Sequence, residues 1–293
     1  MVSWKKICTR QGGLRGGVWM QVRIQDDFDL DKIIDSGQCF RGKRLKDGSY
    51  RFIIGEAVIY LHQEGSGRYE VTCEPESWET IWVPFFDLKR CYREIALSES
   101  GKHEFVDQAI AHGRGVRLLR QDPWEMLLTF IISQRKSIPA IIKSVEALSE
   151  KYGHDIVTGQ ERLKAFPTPE EMKDATEEEL AACGLGYRVK YILDAIKKVN
   201  SGELNLQAIA ELPNDILLEK LQAVMGVGIK VANCIALFAY GRTACVPVDV
   251  WIFRAIEKEC GGVSPFSLYG ENAGIIQQYI FYYERGVIGR KDG

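Results

Sequence analysis

Near residue 84 the hydrophobic period of this chain changes from two residues to about 3.6, and that switch limits the fold more than any other feature. From Met20 to about Cys73, short β-favouring runs alternate apolar and polar residues, as in Tyr50-Arg51-Phe52-Ile53-Ile54, Ala57-Val58-Ile59-Tyr60-Leu61 and Tyr69-Glu70-Val71-Thr72. Asp47-Gly48, Gly55-Glu56 and Gly65-Ser66-Gly67 separate them, so an antiparallel meander is predicted. Residues 29–34 read as a short helix inside that region. Beyond 84 the spacing predicts helices over 87–98, 102–112, 123–133, 137–152, 169–181, 187–200, 205–211, 214–224, 229–240, 250–259 and 270–284. Prolines 123, 167, 169, 213 and 247 fall near their starts and Gly153, Gly184, Gly241 and Gly261-Gly262 near their stops. The expected class is α+β: a small N-terminal antiparallel β-sheet domain over 20–103, then a two-part α-helical domain over 104–293 containing a helix–hairpin–helix at 214–240.

Composition narrows the partners. The 293 residues are 46% apolar and 27% charged, as in ordinary soluble proteins, and no run approaches the roughly 18 apolar residues of a membrane span. The net charge of −2 gives no general attraction to nucleic acid, so local basic clusters must supply it: Arg114, Arg117 and Arg120; Arg135-Lys136; Arg188 and Lys190. Taken alone, each reads first as a solvated face. Eight cysteines include no CxxC pair and only four histidines accompany them, so neither a zinc site nor a four-cysteine iron–sulfur cluster is expected. Reduced thiols and no secretory signal point to a cytoplasmic protein, at the nucleoid if its partner is DNA. Residues 1–19 carry four basic residues, four glycines and no acid, and read as a disordered extension.

The stretch from Leu221 to Asp249 carries the chemistry. One helix runs into Gly226-Val227-Gly228 and a second begins at once, with Lys230 in its first turn. Glycines at such a turn let backbone N–H groups and a helix N-terminus approach a phosphate, although tight helix packing explains them as well. Lysine is unfavourable beside the positive end of a helix; it is either a nucleophile, which must be a neutral amine to attack, or a surface residue lying along an apolar face. Pro247-Val248-Asp249 opens the next helix, where Asp249 serves as an N-cap and can also stabilise positive charge on a sugar. Cys234 lies one turn beyond Lys230 on the same face, as pocket wall or as core.

With these residues in place, the span from about Met20 onward resembles the 8-oxoguanine DNA glycosylases of the helix–hairpin–helix superfamily. Five motifs in order carry the resemblance: Ser36-Gly37-Gln38-Cys39-Phe40-Arg41; Arg117-Leu118-Leu119-Arg120-Gln121-Asp122-Pro123; Leu185-Gly186-Tyr187-Arg188; the GVGIKVANC hairpin at 226–234; and VPVDV at 246–250. It implies a bifunctional glycosylase and AP lyase acting on double-stranded DNA as a monomer, with no cofactor and no metal. Lys230 would attack C1′ of a flipped nucleotide, Asp249 would assist base loss, and a Schiff base would lead to β-elimination. The Gly37 carbonyl would accept from the N7 proton that 8-oxoguanine has and guanine lacks. Cys234 and Phe281 would sandwich the base, Gln277 would meet its Watson–Crick edge, and Phe238 and Trp251 would form a far wall that differs from the better-known eukaryotic members. Gly226 and Gly228 would hold phosphate. Tyr187 would wedge into the vacated stack and Arg188 would reach the orphaned base.

One segment departs from the family pattern. After Phe130-Ile131-Ile132-Ser133 the eukaryotic members carry asparagines and then an arginine that contact the orphaned cytosine. Here the chain reads Gln134-Arg135-Lys136-Ser137-Ile138-Pro139-Ala140. Gln134 and Arg135 are the substitutes, a weaker demand for cytosine opposite the lesion is expected, and the chain reads as a bacterial-type member. Two other readings compete: a silent DNA-binding module, which needs neither Lys230 nor Asp249, and a glycosylase for alkylated bases or for adenine opposite the lesion, which the Ser36-Gly37-Gln38 loop and Lys230 weigh against.

Overall fold

The structure is a computed structural model that describes residues 2–6 and 19–288. Strands β1 (Val2–Lys6), β2 (Met20–Ile24), β3 (Lys43–Arg44), β4 (Tyr50–Ile54), β5 (Ala57–Gly65) and β6 (Arg68–Val71) form one sheet in the order β1-β2-β6-β5-β4-β3. Antiparallel pairings join β1 to β2, β2 to β6, β6 to β5 and β3 to β4. Register follows the apolar alternation: Met20, Val22 and Ile24 are buried in turn, with Met20 opposite Val71 and Val22 opposite Tyr69. Helices follow as α1 (Leu30–Asp35), α2 (Pro75–Ser77), α3 (Val83–Phe85), α4 (Tyr92–Glu99), α5 (Glu104–Gly113), α6 (Pro123–Ser133), α7 (Ile138–Tyr152), α8 (Glu177–Ala182), α9 (Val189–Asn200), α10 (Asn214–Gln222), α11 (Ile229–Phe238), α12 (Val250–Glu259) and α13 (Ala273–Ile288). A hairpin of β7 (Asp155–Val157) and β8 (Arg162–Lys164) lies between α7 and α8.

The chain divides into two units. The first holds residues up to Phe52, Ile59–Arg120 and everything from Gly241 onward; the second holds Ile53–Val58 and Gln121–Tyr240. In the first, Phe52, Trp82, Phe85 and Phe86 pack edge to face at 4.9–5.8 Å between centroids. Arg117 is fully buried there. Its guanidinium donates to the Asp26 carboxylate at 2.8 Å and to the carbonyls of Asp27, Phe86, Asp87 and Arg90, and it lies 4.0 Å from the Tyr92 ring centroid. Burial would push Asp26 up, but Arg117 and the N–H groups of Tyr92 and Arg93 outweigh it and hold the carboxyl below its ordinary range. Arg114 makes a paired contact with Asp27 at 2.7 and 3.0 Å. Within the cluster 114–120 only Arg117 is an internal brace; Arg114, paired with Asp27, and Arg120 are exposed. Helices α5 and α13 approach so closely that a Cβ on Gly113 would sit 2.5 Å from the Tyr279 ring.

In the second unit α6 is buried along nearly its whole length and packs on α7, α9 and α11. The Trp124 indole donates to the Pro167 carbonyl at 2.8 Å.

Several expectations are corrected. The disordered extension fails at Val2–Lys6, which pair with β2 from Val2↔Ile24 to Lys6↔Met20. An edge strand is held by backbone N–H and C=O groups, which composition does not report. Met1 and residues 7–18 of that expected tail lie outside the described residues. The helical run after the sheet begins at Pro75, not near 87, with a π-turn over Trp78–Trp82; Trp78, Trp82, Phe85 and Phe86 recur at helical spacing and are all buried, a stripe the expected boundary passed over. The helix expected from 169 starts at Glu177, where Thr176 and Glu179 form a reciprocal capping box that outcompetes an earlier start. The segment after Gly241 belongs with the sheet-bearing unit, so residues 104–293 are not one domain.

Candidate active site

The α10–α11 turn is built from two glycines with different local demands. Gly226 has φ +82°, and a Cβ there would lie 2.4 Å from the Tyr191 ring, so only glycine fits. The turn is further held by Met225 N–H donating to the Asp194 carboxylate at 2.7 Å. Gly228 has φ −89°, is exposed, and a Cβ there would meet nothing within 4 Å. It caps α11 without any side-chain acceptor, which leaves the first N–H groups of the helix open to an anion.

Lys230 sits in that first turn, half-buried. Its Nζ lies 5.8 Å from the centroid of Phe130, and no carboxylate of its own unit pairs with it among the described residues. Phe130 stacks on Phe238 at 5.5 Å with 13° between the planes. Cys234 and Phe238 continue the same face of α11 and are both buried. The structure thus joins Lys230, Cys234 and Phe238 in one stripe and adds Phe130 beneath the lysine, a residue the sequence reading quoted only as a landmark.

The loop Gln134–Lys136 ties this hairpin to the Gly184–Arg188 turn. The Gln134 amide donates to the Gly226 carbonyl at 3.0 Å. Lys136 Nζ donates to Ser144 Oγ at 2.6 Å and to the Gly184 carbonyl at 2.7 Å, and burial, with Arg188 nearby, pulls its ammonium below the ordinary lysine range. Arg188 is 5% exposed and donates to the carbonyls of Gln134 and Leu185. Arg188, expected to reach an orphaned base, is here a buried strut between the two turns. Tyr187, 50% exposed, and Arg135, exposed at the strained φ of +52°, are what these loops present to solvent.

The remaining candidates lie in the first unit. Asp249 caps α12, its Oδ1 accepting from Ile252 N–H at 2.9 Å, and is half-buried; Trp251 is half-buried two residues on. Gly37 follows the C-cap of α1 with φ +75°, the left-handed conformation that closes the helix. Gln38 locks this loop from within, donating to Ser36 Oγ and the Arg117 carbonyl at 2.8 Å and accepting from Leu119 N–H at 2.7 Å. Gln277, on α13, is 4% exposed, and its Oε1 has no hydrogen-bond partner. A solvated Gln277 is thereby excluded, and a buried acceptor without a donor costs about 1–3 kcal/mol unless a ligand supplies one. Phe281 is half-buried one turn later, with the Arg285 guanidinium 5.5 Å from its centroid. Among the described residues there is no cluster of His, Cys, Asp and Glu fit to hold a metal ion, no disulfide, and no helix long and apolar enough to cross a membrane.

Two family models match this chain: the 8-oxoguanine DNA glycosylase N-terminal domain over residues 21–127 and the HhH-GPD superfamily base excision DNA repair protein over 128–265. The N-glycosylase/DNA lyase of Saccharomyces cerevisiae is 34% identical over 80% of this chain and 69% of its own. The chain belongs to the 8-oxoguanine DNA glycosylases of the HhH-GPD superfamily. Among solved members, MBOgg1 in complex with a low-affinity DNA ligand is 36% identical with a TM-score of 0.88, covering 97% of this chain and 99% of that one. The Clostridium acetobutylicum 8-oxoguanine glycosylase/lyase, solved with double-stranded DNA containing cytosine opposite 8-oxoG, is 34% identical with a TM-score of 0.87, covering 98% of each chain. Within this family fold, the residues missed in the sequence are those acting through others: Phe130 under the lysine, Lys136 and Ser144 behind the 184–188 turn, and Gln278 and Arg285 on α13. Phe130 and Lys136 were visible in the sequence only as part of a landmark run and a basic cluster, and Ser144, Gln278 and Arg285 carried no local signal.

Proposed function

We infer that this chain removes 8-oxoguanine from duplex DNA and cleaves the resulting abasic strand through a covalent lysine intermediate. The observation that carries this reading is Lys230: a half-buried lysine in the first turn of α11, without an ion pair in its unit, two residues after an exposed glycine cap with open N–H groups. Phosphate binding alone requires the cap and not the lysine. In the proposed reaction the neutral Nζ attacks C1′ and the C1′–N9 bond breaks. The electron pair leaves with the base, which takes a proton. Opening of the sugar gives a protonated Schiff base; loss of a C2′ proton then expels the 3′ phosphate oxygen. Asp249, held rigid by its cap, stabilises the positive charge that develops on the sugar.

For recognition we assign the N7–H reading to the Gly37 carbonyl, the Watson–Crick edge to Gln277, base stacking to Phe281 and Cys234, and the outer pocket wall to Phe238 and Trp251. Gly226 and Gly228 take the phosphate, and Tyr187, Gln134 and Arg135 take the opened duplex, with Arg188 behind them. The unpartnered Oε1 of Gln277 supports its part, since guanine-type edges carry N–H donors. The partner is double-stranded DNA; we place the protein as a monomer in the cytoplasm, at the nucleoid.

Borohydride trapping on an 8-oxoguanine duplex tests the reading, with Lys230→Gln as control. A covalent adduct in the wild type alone is expected. Equal trapping by the variant overturns the lysine assignment, and binding without any adduct points to a silent DNA-binding module.

A further inference from the structure

Helix α13 holds the two loop carbonyls that precede Gly37. Gln278 is 3% exposed, and its Nε2 donates to the Ser36 carbonyl at 2.7 Å. Because the partner is a carbonyl oxygen, only the amide nitrogen can make this bond, so its orientation is set. Arg285, two turns further on the same helical face, donates to the Asp35 carbonyl at 2.8 Å and lies over the Phe281 ring. Gln277 and Phe281 stand on this same helix. The two peptides before Gly37 are thus tied to the element that carries the base-facing side chains, while Gln38 fixes the far side of the loop. The Ser36 carbonyl belongs to the peptide whose nitrogen is Gly37 N. Anchoring that peptide with φ of Gly37 at +75° places the Gly37 carbonyl carbon, and Gln38, held on the far side, limits the remaining rotation that aims its oxygen.

We propose that Gln278 and Arg285 are positioning residues for lesion reading: they fix the Gly37 carbonyl in register with Gln277 and Phe281 on α13. This rests on the base-recognition reading above. It goes beyond that reading by making one helix both the carrier of the pocket and the gauge that spaces it from the loop. A hydrogen bond aimed at a single proton depends on direction and loses strength steeply once misaligned, so an untethered loop would still close around a base but would no longer favour the one with a proton on N7.

The test separates base reading from chemistry at the sugar. Gln278→Met keeps the side chain's volume and removes the donor; Gln278→Glu also sets a carboxylate against the Ser36 carbonyl; Arg285→Met removes the second tie. Single-turnover release of 8-oxoguanine is measured beside strand cleavage at a preformed abasic site, which needs Lys230 and no base recognition. Base release is expected to fall about tenfold in each single variant, while abasic-site cleavage stays within about twofold of the wild type. A purely structural role would lower both activities together, and that outcome overturns the proposal, as does unchanged base release. If the wild type cleaves abasic DNA through Lys230 yet releases no 8-oxoguanine, the base-recognition reading fails first and this inference with it. If the wild type is competent and the variants keep the wild-type ratio, the inference alone fails.

Discussion

At the α10–α11 turn two glycines separated by one residue answer to different forces. Gly226 is required by the fold, through its positive φ and the Tyr191 ring against it, whereas Gly228 has ordinary dihedrals and open space where a side chain would go. Gly226→Ala is therefore expected to destabilise the protein by about 1–3 kcal/mol, read as a lower denaturation midpoint. Gly228→Ala should leave that midpoint within about 0.5 kcal/mol and still weaken duplex binding, because its methyl group meets the phosphate; equal losses of stability in both variants would contradict the division. Asp249 allows a similar separation. Asn caps a helix as well as Asp does, so Asp249→Asn should keep the thermal midpoint while slowing base release at least about tenfold, and Asp249→Ala should additionally lose about 1 kcal/mol of stability. If the Asn variant retains full activity, the carboxylate serves only as a cap.

Among the elements, the 134–136 loop shows why a departure from the family pattern had to be seen in three dimensions. In sequence it reads as a change of opposite-base chemistry. In the structure Gln134 and Lys136 are bound to backbone carbonyls of two other turns, and Arg188 is drawn inward onto the same loop. Arg135 alone is left pointing outward, on a backbone at φ +52°. Non-glycine residues in that region carry about 1 kcal/mol of strain or more, so Arg135→Gly should raise stability by about that amount while weakening binding to opened duplex. One flexible cation can meet several partners across the lesion. Excision rates opposite the four bases should accordingly fall within about fivefold of one another, at or below the least that one well-placed bidentate contact would confer. A strong preference for cytosine would show that buried Arg188 swings out on binding.

For the whole molecule, the sheet-bearing unit turns on one buried ion pair. Asp26 is held below its ordinary value of 3.8 despite burial, because Arg117 and two backbone N–H groups favour the carboxylate. Its folded-state value is the lower one, so its contribution is fully present above about pH 5 and drains away as acid protonates it. Thermal midpoints should be level above that pH and fall steeply below 4; Asp26→Asn should flatten the acid limb at a cost of about 3 kcal/mol, since Arg117 then lies buried without its counter-charge. Much of this architecture is legible in one dimension. The period change separates sheet from helices, Pro and Gly mark the ends of α6, α7, α10 and α11, and the ordered motifs single out Lys230 and Asp249, because each of these signals comes from neighbours within one or two turns. The short helices from Pro75, the pairing of Val2–Lys6 and the return of Gly241 onward to the sheet-bearing unit are not legible, since burial and backbone pairing between residues far apart decide them. The same limit holds for function. By itself the sequence determined which groups are candidates to react, since Lys230, Asp249 and the glycine turn are marked by local patterns. Only the tertiary structure decided how those groups are held: Phe130 under the lysine, Gln278 and Arg285 behind Gly37, and Arg188 inside rather than out. Such roles arise from contacts across 50 to 250 positions of chain, and no local pattern encodes them.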